Sequence, residues 1–277
     1  MLAMAVLGCM AVFAAAPTVE VGKVELVHDG FKFTEGPTWT DKGLLFSDLG
    51  SDAIHHGDRK VYRQPSGKAN GLAWDKQGRL IACEHENRRV SITHADGRIE
   101  TLASHYEGKP FNSPNDLTLH SNGAIFFTDP GYGGHKSELG YFGVYRLDKD
   151  GKVTLLHKDM KAPNGITLSQ DERTLFVADS EDHFIMAFDL DASGQASNPR
   201  RFADCGGPDG IKVGRQGELW VADADGVLVY DTATGARVLT VPVPEQAANI
   251  AFGGKDGSTL YITARKGLYK AEVTWGK

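Results

Sequence analysis

The sequence predicts an all-β fold, a six-bladed β-propeller with four antiparallel strands per blade. Three observations carry that reading. One hairpin pattern recurs six times, the stretches between its copies vary in length, and the two ends of the chain complement each other as parts of one last blade. Composition agrees: of 277 residues, 41% are hydrophobic and 24% charged, a balance typical of a folded chain and not of a disordered one. The 33 glycines follow no three-residue period and fall mostly in turn contexts, which excludes collagen. Thirty Lys and Arg against 36 Asp and Glu give a net charge of -6 with no basic run, so no nucleic-acid partner is expected.

Residues 1–16 read as a secretory signal, with the mature propeller at 17–277. The segment is uncharged, apolar apart from Gly8, and ends in Ala14-Ala15-Ala16 before Pro17. Cleavage after Ala16 and a periplasmic or secreted location are the expectation, although the usual basic start is missing. Val6-Leu7-Gly8-Cys9 is a poorer match to a lipoprotein leader. Sixteen residues are short for a bilayer span, which takes roughly 20, and the mature chain is expected to have none. Only Cys83 and Cys205 follow the signal, too few for a disulfide framework; two packed thiols are expected, with a single bridge as the alternative.

The repeats open at Glu35, Asn70, Asn115, Asn164, Asp209 and Asn249. Each is followed by an apolar run, a short polar turn and a second apolar run. Five of the second runs close on an acid: Asp48, Glu84, Asp129, Asp179 and Asp223, at 13, 14, 14, 15 and 14 residues from the opening. The openings lie 35, 45, 49, 45 and 40 residues apart, so the hairpin is constant while its connections vary. Leu, Ile, Val, Phe and Trp fill the runs, and Gly, Asp, Asn and Ser fill the turns, as strands and hairpin turns require. Two weaker strands follow most hairpins, for example at 143–147 with 152–157 and at 184–190 with 200–203. Four strands per repeat of this length make a propeller blade.

The sixth repeat has its hairpin and a third strand at 267–273, and no fourth. Residues 19–28 alternate apolar and polar side chains and can supply the missing strand, closing the ring without a bare sheet edge. A β-sandwich does not explain six equal hairpins.

Circular closure brings the opening residues and closing acids to one mouth of the central channel. Glu35, Asn115, Asn164 and Asp209 converge there from four blades, and two carboxylates with two amides form a hard-oxygen set suited to one divalent cation: Ca²⁺ first, with Mg²⁺, Mn²⁺ or Zn²⁺ as alternatives. Without a cation, Glu35 and Asp209 would repel each other. Any one of these residues alone would read as a turn cap; four at equivalent positions point to a site. Loops 104–114 and 130–140 overhang the same mouth, the second carrying Tyr132, His135 and Glu138. His85, after Glu84, is the histidine that the topology places on this face, whereas His55 and His56 belong to an outer strand.

At these residues the chain resembles a known family. Glu35-Gly36-Pro37, Asn112-Ser113-Pro114-Asn115-Asp116, Phe126-Phe127-Thr128-Asp129-Pro130, Pro163-Asn164-Gly165 and Pro208-Asp209-Gly210 are similar, in order, to the signature stretches of the gluconolactonase and senescence-marker-protein (regucalcin) family of calcium-dependent propellers. Cys83-Glu84-His85 followed by Asn87-Arg88-Arg89 is most like the bacterial gluconolactonases. The resemblance implies Glu35, Asn164 and Asp209 as metal ligands and Asn115 as an amide at or beside the metal. Animal members carry an arginine where this chain has Ser113, so substrate contacts inferred from them do not transfer.

The expected activity is therefore metal-dependent hydrolysis of a sugar lactone, with glucono-1,5-lactone as the type. A cation held by few protein ligands keeps positions open to polarise a carbonyl and acidify a water, and Asp209, or Asp129, takes the proton. Asn112, Asn115, Glu84, His85 and Tyr132 are the expected substrate contacts. A covalent serine route is not supported, since the chain lacks Gly-x-Ser-x-Gly. The alternatives are an organophosphate or ester hydrolase of the same type and a non-catalytic calcium-binding propeller; a strictosidine-synthase-like condensation would leave the oxygen set unused. A monomer or weak homo-oligomer is expected.

Overall fold

A computed structural model describes residues 17–276; the expected signal at 1–16 lies outside them. Six antiparallel blade sheets succeed one another along the chain, their strands paired in sequence order from the innermost outward, except that N-terminal strands form the outer edge of the sixth. The innermost strands are Thr34–Thr40, Ala69–Trp74, Leu117–Leu119, Pro163–Leu168, Ile211–Val213 and Ala247–Gly253. Second strands are buried along almost their whole length, for example Leu80–Glu84, Ile125–Asp129 and Leu219–Asp223. A strand with sheets packed on both its faces must be apolar on both, which is why these runs do not alternate.

The core lies between blades and not within them. Six buried clusters fill the six blade interfaces, among them Phe111, Phe127 and Tyr145 between the second and third blades and Trp220 with Ile262 between the fifth and sixth. The smallest, Phe31, Leu44, Phe46 and Leu268, seals the first blade against the sixth. There Phe31 meets Phe46 edge-on, with ring centres 5.0 Å apart, a favourable aromatic geometry.

The N-terminal segment closes the ring as expected, with one refinement. It forms two short strands, Val19–Val21 and Glu25–His28, both paired with Gly267–Trp275 of the sixth blade. The loop at 104–114 contains a small hairpin of its own, His105–Tyr106 with Lys109–Pro110. Cys83 and Cys205 are both free thiols, and Cys205 Sγ lies 3.3 Å from Tyr230 Oη. Among the described residues no helix is long and apolar enough to cross a membrane.

Candidate active site

The opening residues reach the channel because the strand ladder breaks beneath them. In the first, second, fourth and sixth blades the register shifts at the opening: between Glu35 and Thr38, Ala69 and Leu72, Pro163 and Ile166, and Ala247 and Asn249. In the third and fifth blades the ladder starts only at Leu117 and Ile211, beyond Asn115 and Asp209. Such irregularities re-aim side chains that a regular ladder would bury. Neighbouring openings then join directly: Gly71 N–H donates to Asn115 O at 2.7 Å and Gly165 N–H to Asp209 O at 3.1 Å. At Gly165 a Cβ would stand 2.2 Å from Asp209 O, so only glycine permits this approach.

A directional chain of amides runs round the mouth. Asn70 Nδ2 donates to Asn115 Oδ1 at 2.6 Å, and Asn115 Nδ2 donates to Asn164 Oδ1 at 2.6 Å. Asn164 Nδ2 donates to Ser180 Oγ at 2.9 Å and lies 3.4 Å from Tyr132 Oη, while Ser180 Oγ donates to Pro208 O at 2.6 Å. With its nitrogen committed to Ser180, Asn164 turns its oxygen toward Asn115. His85 Nε2 lies 3.0 Å from Asn115 Oδ1; an amide oxygen there makes Nε2 the donor. Burial holds the His85 imidazole at about 4, so the ring is neutral near pH 7.

The acids complete the circle. Glu35 Oε2 accepts Gly36 N–H at 2.8 Å and Asn249 Nδ2 at 3.1 Å, and the same Asn249 nitrogen reaches Asp116 Oδ2 at 3.3 Å. Burial lifts the Glu35 carboxyl to about 7, against the opposing pull of the Gly36 N–H. Asp209 is held well above the usual carboxylate range by burial and by the charges of Glu35 and Asp116, and it keeps part of its surface exposed. Among the described residues neither Glu35 nor Asp209 forms an ion pair.

The structure places Glu35, Asn115, Asn164, Asp209, His85 and Tyr132 in one connected ring of neighbours and separates the others. Asn115 turns its oxygen to Asn70 and His85, so it serves the ring through its nitrogen. Asp129 is fully buried, and both its oxygens are taken, by Ser113 N–H at 2.7 Å on one side and Asn112 N–H and Nδ2 at 2.8 and 3.0 Å on the other. Asn112 spends its amide nitrogen on Asp129 and Tyr141 O, leaving a buried Oδ1 without a partner. Glu84 faces away from the mouth, paired with Arg63 at 2.9 Å and Arg89 at 2.7 Å. Asp116, Ser180 and Lys212 join the site without a signal from the repeat pattern.

Would these residues suit a divalent cation? Among the described residues no three His, Cys, Asp or Glu side chains cluster as a metal site. The donors here are a different set, two mutually repelling carboxylates beside an amide oxygen whose orientation is fixed, and hard oxygens of that kind fit Ca²⁺ or Mg²⁺.

Known proteins share this architecture. A family model described as an SMP-30/gluconolactonase/LRE-like region matches residues 33–266. The gluconolactonase of Zymomonas mobilis is 28% identical over 90% of this chain and 81% of that protein. A solved gluconolactonase structure from Xanthomonas campestris superposes with a TM-score of 0.86 at 32% identity, covering 94% of this chain and 96% of that one. The structure of a calcium-binding regucalcin from Agrobacterium tumefaciens gives 0.78 at 25% identity, over 91% and 93% of the two chains. With a family model matching residues 33–266 and its signature stretches set in a six-bladed propeller, the chain belongs to the SMP-30/gluconolactonase/LRE-like family.

Proposed function

We propose that this protein hydrolyses a sugar aldonolactone, of the glucono-1,5-lactone type, with the help of a divalent cation, Ca²⁺ first. The observation that carries the reading is the pair Glu35 and Asp209, one buried and one partly exposed acid that repel each other and form no ion pair among the described residues. The likeness to gluconolactonases along nearly the whole chain supports the lactone, and the calcium-binding relative supports the cation.

Glu35, Asn164 and Asp209 would hold the ion. When bound, it supplies Lewis-acid polarisation of the lactone carbonyl and a more acidic water. The remaining chemistry belongs to the chain. Asp209 accepts a proton from the attacking water as the new C–O bond forms. The ring C–O bond then breaks, and the proton passes to the departing ring oxygen, leaving a free hydroxyl and an aldonic acid that releases its own proton to water to become the aldonate. Asn115 and Ser180 hold Asn164 in register, neutral His85 holds Asn115, and Tyr132 overhangs the mouth where a polyhydroxylated ring would sit.

The test is Asp209→Ala. It should lower lactone hydrolysis by about a thousandfold or more, since the loss removes both a ligand and the base, and excess chelator should do the same to the unmodified protein. Full activity in either case would reject the mechanism.

A further inference from the structure

Beneath the Glu35 and Asp209 pair lies a third acid. Asp116 is 1% exposed; its Oδ1 accepts Leu117 N–H at 2.8 Å, and its Oδ2 faces Asn249 Nδ2 at 3.3 Å and Lys212 Nζ at 3.7 Å. Lys212 enters from the other end of the channel. It belongs to the innermost strand Ile211–Val213, and its stem lines a cavity of about 630 Å³ at the opposite mouth, beside Pro37, Thr38, Gln170 and Phe252. Its side chain is 25% exposed, against 2% for that of Asp116.

We propose that Lys212 is the residue that sets the charge of the cation site. Glu35, Asp116 and Asp209 together carry three negative charges when ionised, and the Lys212 ammonium cancels one of them from behind. The remaining two match a divalent ion. Asn249 couples the halves of the device, because one nitrogen bridges the ligand Glu35 and the compensated Asp116. Lys212 acts on the bound ion through space and through Asp116, and so is a positioning residue rather than a catalytic one. The inference rests on the cation-binding reading above.

Direct titration of the full-length protein with Ca²⁺ and with Tb³⁺, by calorimetry and Tb³⁺ luminescence, tests both separately. In Lys212→Met, which keeps the stem and drops the charge, Ca²⁺ should bind about tenfold more tightly, from Coulomb attraction in a partly solvated site. Preference for Tb³⁺ over Ca²⁺ should rise several-fold, because a trivalent ion gains more from the uncovered charge. Asp116→Asn should do the reverse, and the Asp116→Asn/Lys212→Met double variant should return both quantities close to the starting values. If Lys212→Met does not fold, the Asp116→Asn variant alone decides, since weaker Ca²⁺ binding with a lower Tb³⁺ preference is required of it. Unchanged affinities and preference would overturn the role of Lys212. Failure of the unmodified protein to bind either ion would instead overturn the cation site itself.

Discussion

Four blades differ from the other two in what their closing acid does. In the first, third, fourth and fifth blades the acid turns back on its own blade and accepts two consecutive backbone N–H groups, three and two residues before the opening. Asp48 takes Lys32 and Phe33 at 3.1 and 2.9 Å, Asp129 takes Asn112 and Ser113, Asp179 takes Lys161 and Ala162 at 2.9 and 3.1 Å, and Asp223 takes Gly206 and Gly207 at 3.0 Å each. These blades carry Glu35, Asn115, Asn164 and Asp209. In the second blade, Glu84 is instead neutralised by Arg63 and Arg89 and by Ser91 Oγ at 2.5 Å. The sixth has Ala264 and no acid. Openings Asn70 and Asn249 of these two blades donate to their neighbours. The clamp thus goes with the three residues proposed to hold the cation and with Asn115, which fixes one of them directly, and it is absent at Asn70 and Asn249.

Breaking the two arrangements should therefore produce different failures. Glu84→Gln strands the 8%-exposed Arg63 guanidinium, and losing one member of a buried pair costs about 3–5 kcal/mol. Thermal unfolding should show that loss, while Ca²⁺ affinity measured on the folded protein stays within twofold. Asp179→Ala leaves the Lys161 and Ala162 N–H groups without their acceptor, for about 2 kcal/mol, and it also frees the segment that carries Asn164, so Ca²⁺ affinity should fall along with stability. Equal effects on affinity would mean that the clamp has no special bearing on the site.

A smaller effect separates the acids by pH. Glu35 sits at about 7 in the fold against an ordinary 4.5. The folded state therefore keeps a proton that the unfolded chain has released, and this stabilising contribution is complete below pH 4.5 and lost as pH rises through 7. Asp129, also raised to about 7 by burial, changes stability in the same sense but lies outside the cation set. With chelator present, the melting temperature should decline between pH 5 and 8; saturating Ca²⁺, which binds the ionised form of Glu35, should flatten part of that decline. Parallel curves with and without Ca²⁺ would remove Glu35 from the ligands.

What was legible in the sequence follows from what repeats. Glu35, Asn164 and Asp209 could be read because circular closure turns an equivalent position into a shared location. The closing acids could be placed but not interpreted, since spacing does not say whether a carboxylate at a strand end faces the channel or folds back onto its own backbone; Asp129 was therefore expected as a base. Residues 19–28 read as one strand from their apolar and polar mix, but the apolar phase slips at Gly22-Lys23, from 19 and 21 to 24 and 26, and there the pairing lapses between two short strands. Asp116, Ser180 and Lys212 carry no periodic signal, because each acts in one blade only and periodicity is blind to a residue with no counterparts.

Ser180 offers the finest test of the contrast between blades, because it belongs to a clamped blade yet acts only through a hydroxyl. It follows the clamp Asp179, accepts Asn164 Nδ2 and donates to Pro208 O, the residue before Asp209. One side chain thus links the carriers of two ligands across a blade interface. Ser180→Ala should cost only about 1 kcal/mol of stability, the ordinary worth of a hydrogen bond. Its larger signature should be in the cation, because the Asn164 amide is then free to turn its nitrogen toward the channel. Ca²⁺ affinity should drop several-fold, and Ser180→Thr, which restores a hydroxyl, should recover most of it. An affinity unchanged in Ser180→Ala would show that Asn115 alone holds the amide, and that the orientation of Asn164 is decided on the His85 side of the ring.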